Sequence, residues 1–386
     1  MGAPVTVVVT HGPGSLDLCS QRLADHLPPA VRRLHTEVLE RSGDRFEIPL
    51  LSRRALHSLR LDAAFARRLR RERGIVHLTN HHLGRYAGVL REPYVMTLHD
   101  VMRLHDLRGA DPPYICRLTA RDRAMLRLDY AGVRHAAAVT VPSEFAARDA
   151  TAHLGIPPAR ITVVRWAVDH DLFRPVERRL YAFPYVLYVG TEQPRKNLGA
   201  LLRAFALLSP AHPDLRLVKV GLAGGEGSEF RRATRRAIDA LGIGDRVVFT
   251  GRLPDEDLVA AYAGAVCSVL PSRHEGFGLP PLEAMACGCP VVVSSAGSLP
   301  EVVGDAGLVV DPGPWPLADA IATTLDPAVR EDLRERGLRR AASFTWQAAA
   351  ERTLTVYRAV GGDVGPPPLR VAAGGPGGGS ARCESV

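Results

Sequence analysis

The sequence predicts an α/β protein made of two Rossmann-like domains, on three observations. Short continuous apolar runs rich in Val, such as residues 5–9, 139–141 and 291–293, recur along the chain, as strands buried on both faces require. Glycine-bearing turns and helix-period segments follow several of them: after residues 5–10 come His11-Gly12-Pro13-Gly14-Ser15 and an apolar stripe at Leu16, Cys19, Leu23 and Leu27. At 386 residues the chain has the length for two domains of ordinary size.

Composition narrows the class. A hydrophobic content of 46% and a charged content of 23% are those of a soluble globular protein. No apolar stretch approaches the ~20 residues of a membrane span. The N-terminus enters a strand without a basic region or cleavage site, so a cytoplasmic location is expected. The six cysteines (19, 116, 267, 287, 289, 383) show no zinc spacing, and buried, reduced thiols are expected. The net charge of +8 comes almost wholly from arginine, since only Lys196 and Lys219 are lysine. Aromatic interleaving and recognised nucleic-acid motifs are missing, so no nucleic-acid partner is expected.

The first turn, Gly12-Pro13-Gly14, lacks the third glycine of the dinucleotide fingerprint, which disfavours NAD. Residues 51–73 are amphipathic with arginines at 53, 54, 60, 67, 68, 70, 71 and 73. They offer either a solvated helical face or a peripheral contact with anionic lipid headgroups. Residues 75–79 and 94–98 read as strands ending in Asn80-His81-His82 and His99-Asp100. Polar clusters at strand C-termini are where open α/β sheets bind ligands. His99 has two roles open, a hydrogen bond to a ligand or proton transfer, beside a purely structural one. A loop and helix follow at 102–127, a strand at 136–141 and a helix through His153, and residues 161–169 lead into the second half.

In the second half, residues 185–190 form a strand entering Thr191-Glu192-Gln193-Pro194-Arg195-Lys196-Asn197. Arg offers a planar fork to phosphate oxygens and Lys a compact point charge. Strands are also expected at 215–221, where Lys219 has no assigned role, at 246–250 and at 291–295. Ser298-Leu299-Pro300-Glu301 reads as a capping box, which accounts for Glu301 without chemistry.

The stretch that organises the rest is His274-Glu275-Gly276-Phe277-Gly278-Leu279-Pro280-Pro281-Leu282-Glu283. An apolar strand (265–270) precedes it and a helix closed by Gly288 follows, an arrangement that presents backbone N–H groups where an anion is stabilised. Glu275 falls in the loop and Glu283 on the helix, so both carboxylates can face one cleft.

This segment, with Ala284-Met285-Ala286, Gly288 and Pro290-Val291-Val292, resembles the donor-binding segment of retaining glycosyltransferases of family 4. Pro194-Arg195-Lys196-Asn197 resembles the same family's diphosphate-binding turn. The likeness is specific over residues 139–360 and diffuse over 1–135, and Trp166-Ala167 replaces the family's Asn-Gly at the interdomain linker. It implies the GT-B fold, two Rossmann-like domains facing a central cleft. The domains are then 1–168 on the acceptor side, 169–345 on the nucleotide-sugar donor side, a helix over 346–360 crossing back, and a disordered tail from 361 to 386.

The resemblance further implies a UDP- or GDP-linked sugar as donor and a glycan or lipid-linked acceptor. Transfer would retain configuration at the anomeric carbon, by front-face attack assisted by the leaving phosphate. Glu275, Arg195, Lys196 and His99 are the catalytic candidates. Gly14, Gly190, Leu253, Gly276, Phe277, Gly278, Leu279 and Glu283 are donor-binding candidates, and His81 and Asp100 lie on the acceptor side. No cofactor or metal is expected, because an Asp-x-Asp motif is missing from the strand ends of the second domain. A sugar-nucleotide epimerase of the same fold and a catalytically inactive binding protein stay open as alternatives.

Overall fold

The computed structural model describes residues 2–365 apart from residue 13 and the segments 37–52 and 224–228, with the side chains of 53–58 also outside the description. The first half runs β1 (Ala3–Thr10), α1 (Ser15–His26), β2 (Arg32–Thr36), α2 (Arg53–Leu69), β3 (Ile75–Leu78), a 3-10 segment (His81–Val89) and β4 (Tyr94–Thr97). It continues through α3 (Met102–Leu107), α4 (Ala120–His135), β5 (Ala138–Val141), α5 (Glu144–Leu154) and β6 (Ile161–Val163). The strands are parallel in the order β2-β1-β3-β4-β5-β6. Alternation decides which core each strand serves. Val5, Val7 and Val9 of β1 pack with Cys19 and Leu23 of α1, whereas Val8 joins Val76, Leu78 and Met96 on the other face.

The second half runs β7 (Tyr185–Val189), α6 (Leu198–Leu208), β8 (Arg216–Val220), α7 (Glu229–Leu241), β9 (Val247–Gly251), α8 (Asp255–Gly264) and β10 (Cys267–Leu270). Then come α9 (Leu279–Ala286), β11 (Val291–Ser294), α10 (Leu299–Val303), β12 (Leu308–Val310), α11 (Pro314–Thr323) and α12 (Pro327–Ala341). Its parallel sheet has the order β9-β8-β7-β10-β11-β12, the arrangement of a dinucleotide-binding fold. Both sheets therefore confirm the expected pair of Rossmann-like units.

The last helix, α13 (Trp346–Ala359), returns to the first unit. Trp346, Ala350, Leu354 and Tyr357 enter the core beneath α1. The Tyr357 hydroxyl lies 2.7 Å from His77 Nδ1, and His77 Nε2 lies 2.8 Å from Thr97 Oγ1, so the crossing helix is tied into strands β3 and β4. Order continues past it. A two-residue strand, β13 (Gly362–Asp363), pairs in parallel with Ala3 and Pro4, end to end with β2 along one edge of β1. Val364 beside it is buried. The expected disorder from 361 is thus corrected for 361–365, because these residues have a sheet edge to join; 366–386 lie outside the described residues.

Among the described residues no helix is long and apolar enough to cross a membrane. In α2, Phe65 and Leu69 are buried while Arg60, Arg67 and Arg68 face outward. The arginines follow the helical period that keeps charge in water. Cys19, Cys267, Cys287 and Cys289 are buried free thiols and Cys116 a half-buried one, as the sequence leads one to expect; Cys383 lies outside the described residues.

Candidate active site

Each sheet reverses its strand order once, and where helices leave opposite faces at such a point a crevice opens at the strand C-termini. In the second sheet that point lies between β7 and β10. The turn after β7 carries Arg195 and Lys196, and the turn after β10 carries Glu275. In the first sheet it lies between β1 and β3, and β3 and β4 lead to His81, His99 and Asp100. The two sets of strand ends meet across one cavity of about 670 Å³.

His81, His99, Asp100, Gly190, Arg195, Lys196, Glu275, Gly276, Phe277, Gly278, Leu279 and Glu283 all line it. Gly14 and Leu253 do not. Gly14 is exposed as the N-cap of α1, with Ser15 and Leu16 reaching the cavity in its place. Leu253 packs on the second core, leaving Arg252 and Leu258 at the wall. Trp166, the departure at the linker, is part of the wall: its ring lies 4.9 Å from His99 and 5.7 Å from Phe277, touching one residue from each domain.

Glu275 is the electrostatic centre. Its carboxylate accepts from Lys196 Nζ at 2.7 Å, from Arg195 at 3.1 Å to each oxygen, and from Ser272 Oγ at 2.7 Å. The residue is only 7% exposed, so it packs beneath the cations instead of standing free in an open cleft. Burial by itself raises its pKa, but Lys196, Arg195 and the Ser272 hydroxyl outweigh that and hold it at about 2. Burial lowers the pKa of Lys196, partly offset by Glu275. The trio carries two positive charges and one negative.

Lys219, which had no assigned role, supports the same turn. With Arg231 it pairs to the buried Glu192, at 3.1 and 2.7 Å. Both lysines of the chain therefore brace residues 192–196.

Glu283 sits one helical turn into α9. Its Oε2 accepts from the Tyr262 hydroxyl at 2.9 Å, and among the described residues Oε1 has no hydrogen-bond partner. Burial lifts its pKa to about 7, against the Tyr262 hydrogen bond.

The loop between the two glutamates is fixed by its carbonyls. Ser298 Oγ donates to Glu275 O at 3.0 Å and Phe277 O at 2.6 Å, and Ser143 Oγ, from the other domain, donates to Gly276 O at 2.7 Å. The N–H groups of 276–279 form no hydrogen bond with the described protein. They remain available at the start of α9, where the helix dipole also favours an anion. Two glycines permit this. A Cβ at Gly276 would stand 2.2 Å from His99 O, and Gly278 has φ 114° with Leu299 Cδ2 2.7 Å from the Cβ position.

His99 is buried, and its Nε2 lies 2.9 Å from Thr79 O, which can only accept. Nε2 therefore carries the proton, and Nδ1 is a buried acceptor without a partner among the described residues. Burial lowers its pKa to about 3. Of its two expected roles the geometry favours the hydrogen bond over proton transfer. His81 is buried, and neither ring nitrogen has a hydrogen-bond partner among the described residues. Asp100 Oδ1 accepts from Met102 N at 2.9 Å, so this carboxylate is partly occupied in starting α3.

The capping box at 298–301 is corrected. Ser298 forms no side-chain cap, because its hydroxyl is spent on the Glu275–Phe277 loop. Glu301 reaches across the domains to accept from Glu144 N at 2.9 Å and Phe145 N at 3.3 Å, capping α5. Ser143, Ser272 and Ser298 escaped sequence reading: each acts through one hydroxyl on distant residues, and no local spacing marks that.

The chain matches two family models, Glycosyltransferase Family 4 over residues 2–172 and Glycosyl transferases group 1 over 172–340. It is 32% identical to a D-inositol 3-phosphate glycosyltransferase of Thermobispora bispora over 89% of this chain and 85% of that protein. It is 43% identical to O-antigen chain mannosyltransferase B of Escherichia coli over 45% of each chain, so the match spans under half of that relative. In fold it is similar to sucrose-phosphate synthase from Thermosynechococcus elongatus (TM-score 0.70, 24% identity, 92% of this chain and 99% of that one). It is equally similar to Anabaena HepE in complex with UDP and glucose (TM-score 0.70, 18% identity, 92% and 99%).

Burial of the trio predicts a structural cost that an open site would not have. Glu275→Gln leaves two buried cations without a counter-charge, and we expect a loss of about 3 kcal/mol at neutral pH. The sign with pH follows from the lowered pKa. Glu275 contributes stability above its ordinary value of 4.5, and that contribution fades as pH falls toward about 2. Urea melts of both proteins between pH 7 and pH 3 should therefore converge on acidification; a constant gap would refute the charge assignment.

Proposed function

The chain belongs to glycosyltransferase family 4, and from that premise we propose that its cleft moves a hexosyl unit from a nucleotide-diphosphate sugar to a glycan or lipid-linked acceptor. One observation carries this reading: Arg195 and Lys196 gather around Glu275 beside unpaired backbone donors at the start of α9. Such a site accepts a diphosphate and a polyol together, which suits sugar transfer better than epimerisation by acid–base chemistry. Near neutrality Glu275 carries no proton, and His99 stays a neutral ring whose one N–H is given to Thr79 O.

In the proposed reaction the bond from the anomeric carbon to the diphosphate breaks while an acceptor hydroxyl adds on the same face. Its proton passes to the departing phosphate oxygen, and configuration is retained. Arg195 and Lys196 offset charge growing on the leaving diphosphate, in place of a metal ion. Glu275 accepts sugar hydroxyls and favours positive charge on the ring. The N–H groups of 276–279 hold the same sugar, and His99 Nδ1 accepts a further hydroxyl. Glu283 Oε1 accepts from ribose. The acceptor enters from the side of His81 and Asp100. Anionic headgroups beneath the exposed arginines of α2 would hold a lipid-linked acceptor close, at about 1 kcal/mol per cation.

Chromatography of a panel of nucleotide sugars, with and without acceptor extract, tests the reaction itself. Nucleoside diphosphate release with a glycosylated product supports transfer; a C2-inverted nucleotide sugar would indicate epimerisation. With a donor in hand, Arg195→Ala and Lys196→Ala should each lower kcat more than they raise KM, since leaving-group charge grows toward the transition state. Activity should persist in EDTA. Loss in chelator with recovery on Mg²⁺ or Mn²⁺ would contradict the cationic reading.

Glu283→Gln should weaken binding of the free nucleoside diphosphate, because ribose is held in ground and transition states alike. With a pKa near 7, Glu283 is increasingly charged from pH 6 to 8. Calorimetry should show affinity rising over that range for the parent and a flatter response for the variant. Equal affinities and slopes would remove Glu283 from the site.

A further inference from the structure

Directly before the Glu275 loop, three side chains able to ligate a metal converge from both domains. His105 comes from α3, Asp149 from α5, and His274 from the second domain, one residue before Glu275. One ligand atom from each lies within 4.8 Å of the other two. We propose that His105, Asp149 and His274 form a divalent transition-metal site, best suited to Zn²⁺, that clamps the domains together beside the donor-binding loop.

The donor set fits. Two imidazoles and one carboxylate are ligands that zinc accepts at about 2.0–2.2 Å in tetrahedral geometry with one position left to water. That geometry places ligand atoms roughly 3.3 Å apart. His274 Nε2 is already 3.5 Å from Asp149 Oδ2, and His105, within 4.8 Å of both, needs to move in by no more than about 1.5 Å to complete the set. The His274 side chain is 8% exposed, and among the described residues its Nε2 has no hydrogen-bond partner, a buried polar atom that a cation would satisfy.

The surroundings also suit a closed site. The Tyr114 ring lies 5.3 Å from His105 and 5.4 Å from His274, and Phe145 lies 5.2 Å from His274. These rings limit water around the ligands. His153 Nε2 stands 3.8 Å from Asp149 Oδ1, where it can orient the carboxylate, while its Nδ1 faces Arg108 at 3.1 Å.

The consequence is conformational. Ligands split between domains are close only when the domains are together, so the metal binds the closed form and favours it in proportion to that difference. Arg195 N donates to Tyr114 O at 3.3 Å beside the same cluster, so the clamp acts next to the proposed phosphate-binding turn. Zinc would therefore slow domain opening without taking part in transfer, and this site stands or falls separately from the reading of the cleft.

Untagged protein stripped with EDTA should be dialysed against a low-micromolar free Zn²⁺ buffer and its metal content measured, beside His274→Ala, His105→Gln and Asp149→Asn. Near one equivalent is expected on the parent, with affinity at least about tenfold weaker in each variant, since losing a ligand costs more than losing its support. The parent melting temperature should rise with Zn²⁺ and not with Mg²⁺. His105→Gln is half-buried and apart from Glu275, so it keeps the test open if His274→Ala fails to fold. Absence of saturable zinc on the parent, or parental affinity in any folded variant, overturns the site.

Discussion

A single buried ion cluster governs this cleft: one carboxylate, Glu275, held by Lys196, Arg195 and the Ser272 hydroxyl. Burying three charges costs several kcal/mol of hydration apiece unless geometry returns it. Return requires that two turns from neighbouring strands, β7 and β10, meet within hydrogen-bond distance. The strand order supplies this, because β7 and β10 are paired through Cys267 and Ser268 at the point where the sheet reverses. Glu192 with Lys219 and Arg231 repeats the device beneath the first of the two turns. The cluster is thus cationic overall and rigid before any ligand arrives, the condition under which fixed charges stabilise a developing anion.

Closure of the domains is written into the same residues. Gly276 approaches His99 so nearly that no side chain fits between them, and Ser143 reaches over to the Gly276 carbonyl. Glu301 caps α5 from the opposite domain, and Trp166 at the linker touches a residue of each domain. All of these contacts except that of Trp166 with His99 would be lost if the domains separated. Access to the cleft and the geometry of the Glu275 loop are therefore coupled.

The fold was legible because parallel strands buried on both faces leave a strong mark. The runs at 5–9, 185–189 and 291–294 could be little else, and residue types at their ends named most of the site. Arg195, Lys196, Glu275 and Glu283 were readable from chemistry and spacing, and all line one cavity. What escaped depends on partners far away in sequence. Ser298 and Glu301 have the local spacing of a capping box, yet tertiary contacts use their side chains elsewhere. β2 carries Arg32, Arg33 and His35, too polar for a buried run, and is a strand because it borders β1. The burial of Glu275 was likewise invisible, since a glutamate before two glycines reads equally well as exposed.

Turnover of Glu275→Gln, measured with nucleoside-diphosphate affinity on the same folded preparation, tests the role of the cluster most directly. Gln keeps the shape and removes the charge that would oppose the positive sugar ring. Turnover should fall by about 10²-fold or more, the scale of one strong electrostatic contact. Diphosphate affinity should hold or rise, because Arg195 and Lys196 are released from their carboxylate. Near-parental turnover would show that the buried carboxylate only balances the charge of its neighbours, and would contradict a part for it in transfer.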